Sequence, residues 1–422
     1  MATPKLRFKE FNNQWDKTTI NDQAQTVTSG SRDWAQYYSE SGDKFIRMTN
    51  LVRDGIYLDL SDLKFVQLPK DSNEGKRTSL KFGDILISIT AELGKLGWIP
   101  QGLGTAYINQ HTALVRMKDS VDSKFVAYSL STEKYNNKLN SLNDSGAKAG
   151  LNLGTIRNFE LIVPPKEEQT KIASLLSIVD EKISQLTQKN FLLSQYKQGM
   201  MQKLFSQQIR FKAVDGSEFG EWEEILVQYL VDKGILEKPM DGNHGEIHPT
   251  SKDYVEEGIP FVMATDIFNG KLHLEQTKKL TKQQADSLKK GFSREGDVLL
   301  THKANIGNVA IVPQLDVEYL MLTPQVTYYR VINFSRLNNN FLKVYFESPQ
   351  FQKNLLDLCT GATRLYIGIS EQRKLPISLP CLEEQTKIAN LLSAIDQKIE
   401  VVAQQIEQAK TWKKGLLQQM FV

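Results

Sequence analysis

The chain has 422 residues, 40% of them hydrophobic, and a formal net charge of only +3. That length favours two or more domains with real cores, no run approaches the ~18 apolar residues of a membrane span, and two cysteines, Cys359 and Cys381, give neither a disulfide framework nor metal-like spacing. The start, MATPKLRFKE, lacks a secretory apolar stretch, so a cytoplasmic protein without membrane contact is expected.

Residues 1–163 read as a mixed α/β globule. Apolar, β-branched Ile85–Ile89 reads as a strand entered through the turn Gly83–Asp84. Thr28–Ser41 and Pro69–Thr78 read as polar surface loops. The polar segments carry Ser31, Arg32 and Tyr37, then Arg47 and Asn50, Lys76 and Arg77, and Gln110 and His111. Arg, Lys, Asn and Gln read base edges, and hydroxyls or backbone amides hold phosphates, so these are candidate DNA contacts.

Residues 164–208 read as one long helix. Pro164–Pro165 lead into Glu167–Glu168, a favourable entry at the positive end of the helix dipole. Apolar residues then recur at spacings of three and four: Ile172, Leu176, Val179, Ile183 and Leu186, continuing through Asn190, Leu193, Lys197, Met200 and Leu204. This is a coiled-coil seam on a helix of ~40 residues, ~60 Å long.

Residues 209–380 read as a second mixed globule, with Val298–Leu300 as a strand and Asp241–Lys252 and Leu358–Tyr366 as polar loops. Its candidate DNA contacts are His244, His248, Ser251 and Lys252, then His302, Lys303 and Asn305, then Gln325, and finally Thr363 and Arg364. Residues 381–422 read as a second long helix, with the seam Ile388, Leu392, Ile395, Ile399 and Val402 continuing to Met420.

The second half rewrites the first. EEQTKIASLLSIVDEKI (167–183) returns as EEQTKIANLLSAIDQKI (383–399), identical at 13 of 17 positions and displaced by 383 − 167 = 216. GDILISITAELGKLGWIP (83–100) returns as GDVLLTHKANIGNVAIVP (296–313), displaced by 296 − 83 = 213. The expected architecture is therefore α+β. Two mixed α/β globules are separated by an antiparallel coiled-coil pair, with internal two-fold pseudo-symmetry. Asn190 is expected opposite its repeat equivalent Ile406, fixing register. Lys197 and Lys413 hold equivalent seam positions. Gly199 and Gly415, two residues on, are expected where backbones approach closely or the helix frays.

No catalytic constellation emerges. GKRT (75–78) lacks the preceding glycine of a phosphate loop. GNHGEIHP, with Glu246 between His244 and His248, is not H-E-x-x-H on a helix. Asp84, Glu92 and Lys95 loosely suggest a nuclease cluster, but only the aspartate returns in the second copy, as Asp297, so a Gly-Asp turn entering a strand explains both better. The charge is weak for a stand-alone nucleic-acid binder: residues 1–160 carry 21 Lys+Arg against 18 Asp+Glu, and residues 209–380 carry 20 against 22. A DNA role would need partners that supply phosphate contacts.

The twin PxxEEQTKIAxLLSxxDxKI-like helices, their shared ends YKQGMMQKLF (196–205) and WKKGLLQQMF (412–421), the GDILIS/GDVLLT skeleton and the stretch HGEIHPTSKDYVEEGIPFVMATDIFNG (244–270) resemble the specificity subunit of type I restriction–modification enzymes over essentially all 422 residues. The resemblance implies two target-recognition domains, each reading one half of a bipartite, asymmetric double-stranded DNA site. It implies helices that set the spacer and dock two adenine methyltransferase subunits. It also implies two motor–nuclease subunits in the full complex. The subunit itself would be non-catalytic and bind no cofactor; S-adenosylmethionine, ATP and Mg would belong to the partners. The alternative is a coiled-coil scaffold with two protein-binding modules and no DNA role.

Overall fold

The computed structural model of the chain describes residues 3–69, 74–142, 150–244, 248–361 and 365–422. Two compact units emerge. One comprises residues 1–188 with 403–422, the other residues 189–402. Neither is a simple half of the chain, because each combines one globule with part of each long helix. Among the described residues no helix is long and apolar enough to cross a membrane.

In the first unit the order is β1 (Asp16–Thr19), α1 (Ile20–Gln23), β2 (Ala24–Ser29), β3 (Tyr38–Ser39), β4 (Asp43–Ile46), β5 (Lys64–Val66), β6 (Ile85–Ser88), β7 (Leu96–Trp98), β8 (Ala106–Ile108), β9 (Thr112–Met117), α2 (Ser123–Ser131), α3 (Glu133–Ser141), α4 (Leu153–Arg157) and β10 (Glu160–Val163). These build one four-stranded sheet in the order β2-β9-β6-β7, a second in the order β3-β5-β4-β8, and the pair β1-β10. The long helix α5 (Lys166–Phe205) then begins.

The second unit repeats the plan. It has β11 (Glu223–Leu226), α6 (Val227–Asp232), β12 (Met240–Asp241), β13 (Ile259–Val262), β14 (Ile267–Phe268), β15 (Lys271–Leu272), β16 (Lys278–Leu280), α7 (Lys282–Ser287), β17 (Phe292–Ser293), β18 (Val298–Thr301), β19 (Val309–Ile311), β20 (Leu320–Leu322), β21 (Val326–Tyr329), α8 (Asn339–Phe346), α9 (Pro349–Asp357), α10 (Ile369–Gln372) and β22 (Pro376–Leu379). Its sheets run β12-β21-β18-β19 and β16-β13-β20-β17, with the pairs β11-β22 and β14-β15. The second long helix is α11 (Leu382–Met420).

The Gly-Asp turns are ion-pair sites, not catalytic ones. Asp84 is fully buried and receives Arg116 on both oxygens at 2.7 Å and the Lys81 amide at 2.7 Å. Asp297 is 2% exposed and receives Arg330 on both oxygens at 2.8 Å and the Arg294 amide at 2.8 Å. A buried carboxylate is tolerable only when so paired, which explains why both copies keep it.

The repeated helix entries are equally determined. Arg7 chelates buried Glu168 at 2.7 and 2.8 Å, and Arg210 chelates buried Glu384 at 3.1 and 2.8 Å. The Gln169 side chain accepts from the Asp122 amide (3.0 Å) and donates to Pro164 O (2.8 Å). Gln385 does the same with the Asn338 amide (2.9 Å) and Pro380 O (2.8 Å). The repeated EEQ is therefore a buried latch between each globule and its helix.

In the first unit Ile172, Leu176 and Val179 share a core with Leu416, Met420 and Phe421, while Leu186, further along, lines a groove with Gln405 and Ala409, so the two helix segments run antiparallel. In the second unit Ile388, Leu392 and Ile395 share a core with Met201, Leu204 and Phe205, while the earlier Asn190 reaches the later Ile399, again antiparallel. Leu186 and Val402 are buried, and Ile183 and Ile399 are half-buried against these cores.

Two expectations change, and the seam lysines gain partners. Asn190 donates to the backbone oxygen of Ile399 (3.2 Å) instead of facing Ile406; repeat equivalence is not contact in an antiparallel pair. Each seam lysine meets an aspartate. Lys413 binds Asp180 at 2.6 Å in the first unit, and Lys197 binds Asp396 at 2.7 Å and Glu347 at 3.2 Å in the second. Burial pulls the Lys197 pKa down, but the two carboxylates outweigh it and hold the ammonium above its ordinary value. Finally, a Cβ on Gly199 would meet nothing within 4 Å, and on Gly415 only the Gln419 amide at 3.9 Å, so neither glycine marks a close approach; both helices also continue past them.

Candidate nucleic-acid interface

In each unit one sheet ends in turns that collect polar candidates from distant parts of the sequence. In the first, β2 leaves at Ser29 opposite Ala113, and β6 leaves at Ser88 opposite Thr112. In the second, β12 leaves at Asp241 opposite Thr327, and β18 leaves at Thr301 opposite Val326. The hydrogen bonds beyond these ends also correspond. The Ile89 amide donates to His111 O (3.1 Å), as the His302 amide does to Gln325 O (2.9 Å). The Leu151 amide donates to Ile89 O (2.9 Å), as the Ile367 amide does to His302 O (3.1 Å).

The turn after each first strand opens with a glycine, Gly30-Ser31-Arg32 in one unit and Gly242-Asn243-His244 in the other. A Cβ on Gly30 would run into the Ile108 and Asn109 carbonyls, and one on Gly242 into the Leu322 carbonyl. Only glycine lets the backbones pass so closely. This makes Arg32 and His244 equivalent, exposed positions on the same frame. The hairpins after β6 and β18 correspond as well. Ala91 (φ 57°) and Ala304 (φ 69°) are both left-handed, a strained state for alanine. Ser88 donates to Glu92 O and Thr301 to Asn305 O inside these turns.

The frame gathers Ser31, Arg32, Arg77, Gln110 and His111 in the first unit. Arg32 makes no hydrogen bond or ion pair among the described residues. Arg77 reaches the same turn, donating to Ser29 O (3.3 Å), with exposed Lys76 beside it in sequence. The Gln110 amide donates to Ser31 O (3.1 Å), and the His111 ring bonds Thr90 Oγ1 (2.8 Å) and Gln110 Nε2 (3.0 Å). In the second unit the frame gathers His244, exposed Lys303 and Asn305, and half-buried Gln325.

Other candidates lie elsewhere. Asn50 is 1% exposed, so it is not a reader. Its oxygen accepts from the Arg47 amide (2.9 Å) and its nitrogen donates to Asp59 O (2.8 Å) and Asp62 O (3.3 Å). Arg47 is committed to Asp62 (2.7 Å). The repeat carried the warning: Asp266, the equivalent of Asn50, accepts from the Met263 amide (2.8 Å) in the same manner. Tyr37 is half-buried, packed edge-on against Trp34 with 6.0 Å between ring centroids. His248 is half-buried against Phe261, 5.6 Å between rings. Ser251 and Lys252 are exposed in the single turn Ser251–Asp253. Thr363, Arg364 and Glu246 lie outside the described residues.

His302 is also corrected. It is 5% exposed, so it supports the frame and does not project from it. Its Nδ1 bonds Thr327 Oγ1 (2.9 Å), and its Nε2 lies 3.9 Å from Asp241. Burial pushes its pKa down to about 4, with Asp241 opposing only in part, so the ring is neutral. Asp241, which sequence reading passed over, is the centre of this cluster. It is 4% exposed and receives the His244 Nε2 at 2.7 Å and the Lys290 ammonium. Burial raises its pKa, but Lys290 and His244 outweigh that and hold it below the ordinary carboxylate value. The only local signal was the spacing D-x-x-H.

The helix segments expose a second kind of surface. In the first unit a groove of about 380 Å³ lies between Lys182, Leu186, Gln405, Gln408, Ala409 and Trp412, with Trp412 55% exposed. In the second unit its repeat equivalent, Tyr196, is 53% exposed.

Several known proteins resemble this chain in sequence and fold. The family pattern described as "Type I restriction modification DNA specificity domain" matches residues 12–193 and again 233–411. The MjaVIII specificity subunit of Methanocaldococcus jannaschii is 28% identical over 271 residues, 62% of this chain and 60% of that protein. The putative MjaX specificity subunit of the same organism is 25% identical over an alignment covering 98% of this chain and 94% of that protein. Among solved structures, the S subunit of a type I restriction–modification system from M. genitalium matches with a TM-score of 0.62, at 16% identity, over 100% of this chain and 99% of that one.

Proposed function

Because the chain belongs to the family of type I restriction–modification DNA specificity subunits, we propose that its two globules each read one half of a bipartite, asymmetric DNA target. The paired helices set the spacing between half-sites and dock two adenine methyltransferase subunits, which bring S-adenosylmethionine. Two motor–nuclease subunits using ATP and Mg join them for restriction. The observation that supports this reading best is one frame carrying two different sets of side chains. Arg32, Arg77 and Gln110 occupy the first sheet end, and His244, Lys303 and Gln325 the second. Two readers of the same half-site would need the same set. The near-neutral charge fits a reader whose partners supply much of the phosphate contact.

The helix surfaces support the docking half of the proposal. Most solvent-facing repeat positions diverge freely, as in Phe191 against Glu407 and Leu192 against Gln408. Tyr196 and Trp412 stay aromatic and half-exposed, and Gly199 and Gly415 stay small beside open space. Exposed aromatics are typical anchors of protein interfaces.

Methylation mapping in cells co-expressing the chain with its methyltransferase tests the reading. Arg32→Ala should relax only the first half-site and Lys303→Ala weaken only the second, each by roughly 1–3 kcal/mol if a base contact is lost. Equal changes in both half-sites from either substitution would show that specificity is not divided between the globules.

A further inference from the structure

We infer that Asp241 fixes His244 in the tautomer that accepts at Nδ1, and that His244 thereby reads an exocyclic amino group, that of adenine or cytosine, in the second half of the target. The inference rests on the DNA-reading role proposed above and deepens it. Asp241 is the positioning residue and His244 the reader.

The argument starts from the carboxylate. Lys290 occupies Asp241 Oδ1, and Oδ2 faces His244 Nε2 at 2.7 Å. An ionised carboxylate has no proton to give, so the hydrogen in that contact belongs to Nε2. In the neutral imidazole this leaves Nδ1 with a lone pair and no hydrogen. The His244 side chain is 57% exposed, and no described residue bonds its Nδ1. His302, the other ring beside Oδ2, is buried and neutral and lies at 3.9 Å, so it does not compete as a charged donor.

In the major groove the hydrogens on offer are those of adenine N6 and cytosine N4, whereas guanine and thymine present only acceptors, O6 and N7 or O4; adenine adds an acceptor at N7. A lone-pair acceptor therefore takes adenine or cytosine and rejects guanine or thymine. His244 also stands where a reader is expected. Gly242 is forced by the passing Leu322 backbone, as Gly30 is by Ile108, which places His244 at the position that carries the unpaired Arg32 in the other globule.

Asp241→Asn tests the tautomer directly. Lys290 keeps the amide oxygen on the Oδ1 side, so the amide nitrogen takes the Oδ2 side and donates to His244 Nε2. The ring hydrogen then moves to Nδ1, which becomes a donor. Genomic methylation should be mapped for the full chain with its methyltransferase. The wild type should require adenine or cytosine at one position of the second half-site. His244→Ala should make that position degenerate, with a preference loss of roughly ten- to hundredfold. Asp241→Asn should admit guanine or thymine and reject cytosine, with adenine retained only through its N7 acceptor, and the double variant should match His244→Ala. The first half-site should not change in any of them.

If Asp241→Asn impairs folding of its globule, His244→Ala alone still decides, because that side chain is exposed. A target unchanged by His244→Ala overturns the inference while leaving the two-reader proposal standing. So does an Asp241→Asn preference that still selects cytosine or still rejects guanine and thymine. A wild-type complex that directs no sequence-specific methylation overturns both.

Discussion

Within one globule, the Asp84–Arg116 pair and the Gly30-Ser31-Arg32 turn belong to the same sheet. In the other globule their counterparts are Asp297–Arg330 and Gly242-Asn243-His244. The ion pair is copied atom for atom, with oxygens engaged at 2.7 Å in one and 2.8 Å in the other. The turn keeps its glycine and changes everything after it. What the fold needs is repeated, and what faces solvent at the sheet end is free to differ. The same division runs along the helices, where Asp180–Lys413 and Asp396–Lys197 repeat while most exposed positions drift.

Cutting the chain after Gln208 would break this comparison most severely. The fragment 1–208 keeps one globule and one helix, and it should dimerise, because Asp180 of each copy can take Lys197 of the other in place of Lys413. Sedimentation should show a dimer. Lys197→Asp alone should abolish it, and adding Asp180→Lys should restore it. With the methyltransferase, the dimer should methylate an interrupted palindrome built from the first half-site twice. A monomer at high concentration would show that the copied seam does not pair symmetrically.

The copied ion pairs come next. Arg116→Ala or Arg330→Ala strands a buried aspartate and should cost roughly 3–5 kcal/mol in its own globule. Denaturant unfolding followed by globule-specific proteolysis would read this. Equal losses would support one shared frame, and tolerance in either globule would show that the resemblance between them is only geometric.

Acid should separate the two globules. His302 has a folded pKa of about 4 against an ordinary 6.5. Below 6.5 the unfolded chain binds a proton that the folded one refuses, so stability falls as pH drops from about 6.5 to about 4. The loss approaches about 3 kcal/mol at the low end. Melting the chain across this range should show it, and His302→Gln should remove the corresponding part of the slope.

The smallest effect sharpens the helix comparison. Gly199→Ala and Gly415→Ala add a methyl into open space within a helix and should each stabilise the chain by roughly 0.5–1 kcal/mol. If those glycines belong to the docking surfaces, the same variants should bind the methyltransferase less tightly. Stabilisation with unchanged binding would remove the glycines from the interface.

The sequence by itself determined the repeat, the two long helices and their seams. The helix expected at 164–208 spans Lys166–Phe205, and the one expected at 381–422 spans Leu382–Met420. These features are written locally: entry residues, spacing of three and four, and a second copy to compare. It also placed Asp84 and Asp297 at strand entries, because a motif kept in both copies while its acidic neighbours vanish is structural. Only the tertiary structure decided which polar residues share a surface. Ser31 and Gln110 meet because strands far apart in the chain pair in a fixed register, and the same holds for Asp241, His302 and Thr327. It alone separated exposed His244 from buried His302, and Arg32 from Asn50, since these residues look alike as letters. Burial and hydrogen-bond partners are set by what packs against a side chain from elsewhere in the chain. The role of Asp241 depends on Lys290, 49 residues away in sequence, and no local pattern records such a contact.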